Sequence, residues 1–104
     1  MKDIVIRGDE IDIERLGFSK AVATKTYNIF KIVSEHKDFI GKAPSVIMAA
    51  SVYLACILCS EHKSQEVIGK KFDRSHVSVR NTYQNILDSR ILVGKIDGIT
   101  GGEK

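Results

Sequence analysis

Tryptophan is absent from this chain, proline occurs once and cysteine twice. The two cysteines form a CxxC, Cys56 and Cys59 in "YLACILC", a spacing that invites zinc or redox chemistry. Zinc calls for about four ligands. No second cysteine pair exists, and only His62 is near in sequence, with His36 and His76 in other segments. The motif also sits inside an apolar helical stretch, not at a helix start where a thiolate is stabilised. We therefore expect two small buried hydrophobes, no metal and no cofactor. The scarcity of proline allows long uninterrupted helices. "MKDIVIRGDE" has no apolar signal core, which implies an intracellular protein, cytoplasmic or nuclear according to the cell type. The longest apolar stretch, residues 46–59, falls short of the roughly 20 residues a membrane span needs. No Ser-His-Asp set, phosphate loop or paired-carboxylate motif stands out, so we expect no enzyme. The acidic cluster Asp9, Glu10, Asp12 and Glu14 is explained by a helix N-terminus or a solvated arm.

What is present suits one domain over residues 1–104, with 1–8 as an extended arm and 92–104 as a glycine-rich tail. A length of 104 residues leaves room for a single modest core. The hydrophobic share of 43% and charged share of 28% are ordinary for a folded protein. The net charge of +3 permits a nucleic-acid or acidic partner without requiring one.

Hydrophobic spacing predicts an all-α chain. "DIVIRGDEIDI" alternates like a strand, while "DEIDIERLG" reads as a short helix near residues 9–16 ending before Gly17; we expect the helix, behind an extended arm. Ser19 caps a helix over about 20–36. Its apolar stripe is Val22, Thr26, Ile29, Phe30 and Val33, with Lys20, Lys25, Asn28, Lys31 and Glu35 outward. Pro44 suits a first helical position. The helix it opens is apolar nearly all round, so its neighbours must wrap it. Ser64 caps a short helix with Val67, Ile68 and Phe72 inward, and "DRS" makes a turn. Ser75 caps a last helix over about 75–89, with Val79, Tyr83, Ile86 and Leu87 inward. The end, "RILVGKIDGITGGEK", reads as a short strand or hairpin, and the two termini could pair. The sum is five helices around a buried central one, ending in a helix-turn-helix, with short strands at the termini as an option.

These segments resemble the cyclin-like repeat of transcription factor IIB and of archaeal transcription factor B. The resemblance rests on "GKAP", "ASVYLA", "SQEVI" and "VSVRNTY", with "RLGFSKAVATKTYNIFKIV" upstream, and covers about residues 12–87. The closest likeness is to the second of the family's two repeats. That resemblance implies a five-helix fold whose helix-turn-helix enters the major groove beside the TATA box, with base contacts at Val77 and Arg80. Three departures stand out. We expect neither a zinc ribbon nor a first repeat within these residues. Ala43 replaces a capping serine, and Asp73 and Arg74 occupy turn positions often filled by Gly and Val.

Bottom-up chemistry points to the same helix. Val77, Arg80, Asn81 and Gln84 cluster on one face at about 100° per residue. A major groove offers guanine edges to Arg, adenine edges to Asn or Gln, and the thymine methyl to an apolar side chain. Lys70, Lys71, Arg74, Ser75 and Ser78 flank the turn as phosphate contacts, and His76 reads as an exposed helix-start residue. The same face also suits ordinary solvation, with Val77 packed on the preceding helix. The expected function is a DNA-binding module of transcription initiation, a monomer or part of a larger chain. Its expected partners are double-stranded promoter DNA and TATA-binding protein or other transcription proteins. The alternative is a cyclin-like protein-interaction module that regulates transcription without reading DNA.

Overall fold

The computed structural model describes residues 13–102, with side chains through residue 98. Five helices follow one another: α1 (Lys20–Ser34), α2 (Pro44–Leu58), α3 (Gln65–Lys71), α4 (His76–Asp88) and α5 (Arg90–Gly102). Single 3-10 turns precede α1 (Glu14–Leu16) and link α1 to α2 (Lys37–Phe39).

Each helix start has a local cause. Ser19, Ser64 and Ser75 lie in extended backbone, and each side chain accepts the backbone N–H three residues on. α2 instead begins with Pro44 behind Ala43, which provides no side-chain cap. α2 is buried along most of its length, from Ile47 through Cys56 apart from half-buried Tyr53. It packs against α1, α3 and α4, so it forms the axis of the bundle. Two hydroxyls inside the bundle are satisfied by their own helices. Thr26 donates to the Val22 carbonyl at 2.7 Å and Ser51 to the Ile47 carbonyl at 2.8 Å.

Four expectations need correction. The C-terminal segment is a helix, not a strand or hairpin. Ser89 accepts the Leu92 N–H at 3.2 Å, and Leu92 and Ile96 sit one turn apart, both buried against the core. Helical spacing and a cap outweigh the glycines there. The bundle therefore does not end in its helix-turn-helix: α5 follows after the single residue Ser89 and packs on α1 and α4. The expected helix at 9–16 contributes, among the described residues, one 3-10 turn closed by Gly17 at φ 101°. The extended arm lies outside the described residues. Lys25 faces inward and is only 6% exposed, because it lies three residues after Val22 and four before Ile29, inside the apolar stripe.

Candidate nucleic-acid interface

The α3–α4 pair is built around one close approach. Ile68 and Gly69 are buried, and α3 stops at Phe72. Asp73 then adopts a left-handed φ of 57°. The Arg74 N–H donates back to the Gly69 carbonyl at 2.7 Å and the Asp73 N–H to the Lys70 carbonyl at 3.3 Å. This is a Schellman closure with aspartate in the place glycine usually fills. Aspartate tolerates the left-handed region better than most residues. The departures at Asp73 and Arg74 therefore leave a tight turn, and α4 starts two residues later.

α4 divides cleanly into two faces. Val79, Thr82 and Ile86 are buried, and Tyr83 is half-buried with its ring edge-to-face on Tyr53 at 4.8 Å. Leu87, expected inside, is 41% exposed, and buried Thr82 takes its place on the inward arc. Val77, Arg80, Asn81 and Gln84 are all exposed. At about 100° per residue they fall within about 100° of arc. Val77 does not bury itself on the preceding helix; it remains 43% exposed.

The flanking cations separate. Lys70 and Arg74 line an open cleft with Glu66, Val67 and His76. Lys71 turns the other way, its Nζ 5.7 Å from the centre of the Phe18 ring. The Ser75 hydroxyl is engaged in capping: it accepts the Ser78 N–H at 3.1 Å and donates to the Ser78 Oγ at 3.1 Å. Half-buried Ser78 is part of the same local pair.

Sequence reasoning missed three neighbours of this surface. Val67 was expected inward but is 42% exposed; the helical arc that buries Ile68 and Gly69 leaves it at the edge. Glu66 brings a carboxylate into the cleft. Ser45, at the start of α2, accepts a hydrogen bond from Arg74 Nε at 2.9 Å, and nothing in the local pattern signals a contact 29 positions away.

Elsewhere the chemistry is quiet. Cys56 is buried in α2, and burial, foremost, pushes its thiol up to about 11. Cys59 is half-buried. Among the described residues no three His, Cys, Asp or Glu side chains gather as a metal site, and no helix is long and apolar enough to cross a membrane. A second open cleft lies between the Lys37–Phe39 turn and the α4–α5 joint, bordered by Lys37, Lys42, Asn85, Arg90 and Ile91 among others.

Residues 13–89 match the family described as "Transcription factor TFIIB repeat". The chain belongs to the TFIIB repeat family. Transcription initiation factor IIB 3 of Halobacterium salinarum is 32% identical over 74 residues, covering 71% of this chain and 23% of its own length. Transcription initiation factor IIB of Methanopyrus kandleri is 32% identical over 75 residues, covering 72% and 24%. A Haloarcula vallismortis protein of the same name is 31% identical over 74 residues, covering 71% and 65%. The chain thus spans about a quarter of the length of the first two relatives. These TFIIB relatives are named as initiation factors, not enzymes. No solved structure matches the chain. The family match stops at Ser89, and α5 begins at the next residue.

Proposed function

We propose that this TFIIB repeat binds double-stranded promoter DNA with α4 in the major groove. The observation that carries the proposal is the division of α4. Val77, Arg80, Asn81 and Gln84 stand exposed on one arc, while Val79, Thr82 and Ile86 lock the opposite side into the core. A recognition helix needs this arrangement, because side chains that read bases must be free of the protein interior. Arg80 pairs with a guanine edge, Asn81 or Gln84 with an adenine, and Val77 with a thymine methyl. Lys70 and Arg74 hold phosphates beside the helix start and fix its register. On this reading the repeat works inside the cell, beside TATA-binding protein on the same promoter. It contributes DNA recognition to initiation or to its regulation, without chemistry of its own.

The test is binding of the full chain to a panel of short duplexes across salt concentrations, for the natural protein and Arg80→Ala. Affinity should fall as salt rises. Arg80→Ala should flatten the preference among duplexes by about 1–3 kcal/mol. Absence of binding at low salt, or a sequence preference indifferent to Arg80, overturns the proposal.

A further inference from the structure

One serine links the start of α2 to the α3–α4 turn. Ala43 leaves the start of α2 without a side-chain cap. Arg74 stands in the α3–α4 turn. Between them, Ser45 accepts the Arg74 Nε–H at 2.9 Å and ties the turn to the central helix.

This bond leaves the guanidinium half committed. Nε is occupied, and the two terminal amino groups keep four N–H donors. Arg74 lines the open cleft in front of α4. Glu66 shares that cleft, but among the described residues no carboxylate pairs with Arg74. Two helices begin beside it, α2 at Pro44 and α4 at His76. Their first N–H groups carry partial positive charge. The guanidinium thus lies near two such ends, with Glu66 as the one carboxylate lining the cleft.

We propose that Ser45 is a positioning residue for a DNA phosphate. It holds the Arg74 guanidinium so that the terminal N–H groups meet one backbone phosphate in front of α4. The proposal rests on the DNA-binding reading above. Its physical basis is preorganisation: a free arginine loses rotamer entropy when it grips a phosphate, and the Ser45 bond removes part of that loss beforehand. It also links the central helix directly to the DNA contact.

The experiment uses the full chain and one duplex, titrated across salt, for the natural protein, Ser45→Ala, Ser45→Thr, Arg74→Gln and the Ser45→Ala/Arg74→Gln double variant, each first shown to be folded by circular dichroism. Ser45→Ala should weaken binding about two- to tenfold, the value of one hydrogen bond. Its salt slope should stay unchanged, because Arg74 keeps its charge. Ser45→Thr should restore the affinity. Arg74→Gln should lower the slope by about one, and adding Ser45→Ala to it should change nothing more. Full affinity in Ser45→Ala overturns the proposal, as does an equal loss with and without Arg74. If the natural protein fails to bind at low salt, the DNA reading falls and this inference with it. If only the Ser45 variants are silent, the DNA reading stands alone.

Discussion

Gly69 and Arg74 share one space. The Arg74 N–H reaches the Gly69 carbonyl at 2.7 Å, and the Arg74 carbonyl oxygen lies too close to Gly69 to leave room for a Cβ there. The obstacle is backbone, so it cannot swing aside as a side-chain tip would. Gly69→Ala should therefore force the turn open and cost about 1–3 kcal/mol, as overpacking does. A urea titration measures it, and an unchanged midpoint would contradict the geometry.

Gly94 and Gly98 should behave in the opposite way. Both lie in α5, and a Cβ at either position meets nothing within 4 Å. Alanine there relieves the helix of glycine's conformational entropy at no steric cost. Gly94→Ala should raise stability by about 1 kcal/mol, and Gly98→Ala by somewhat less because helix ends fray. Thermal melts of the two variants should both move upward; a downward shift would show that the open face is occupied.

Lys70 and Lys71 are neighbours in sequence with different surroundings. Lys70 lines the cleft in front of α4, and Lys71 lies over the Phe18 ring. In DNA titrations Lys70→Ala should reduce the salt slope by about one, and Lys71→Ala should leave it nearly unchanged. Lys71→Ala should instead lose the contact with the aromatic face, about 0.5–1 kcal/mol of stability. Equal slopes for the two variants would place both lysines on the same phosphate track.

The two cysteines should separate by reactivity. Burial pushes the Cys56 thiol from 9.0 up to about 11, whereas Cys59 is partly accessible. At mild alkaline pH an alkylating reagent should modify Cys59 first, and Cys56 only through unfolding. Below pH 9 both folded and unfolded chains keep the Cys56 proton. Between 9 and about 11 the unfolded chain releases it first and binds fewer protons, so stability falls as pH rises across that window. Cys56→Ala should remove that part of the alkaline loss.

Much of the bundle was legible because its signals are local. Ser19, Ser64 and Ser75 each cap the helix that follows, and Pro44 opens α2, as their spacing implies. The outward set on α4 was likewise visible in the periodicity. α5 is hidden in the sequence because its glycines suggest a turn-rich end, while the Ser89 cap and the burial of Leu92 and Ile96 show only in the fold. Lys25 reads as outward by its charge, but its position between Val22 and Ile29 turns it inward. Hydrophobicity alone places Val67 and Leu87 in the core, although each lies at the edge of a narrow buried arc. Ser45 had no local signal at all, since its bond to Arg74 exists only once α2 and the turn have packed.

The enclosure of α2 has a consequence for how the surface of α4 can be handled. Ile68, Val79 and Ile86 are buried in the core that α2 centres. Excising α3 and α4 as a peptide would strand those side chains in water. The outward face of α4 is therefore not a portable tool. It exists only while the whole bundle holds, and it should melt in the same cooperative step as the core.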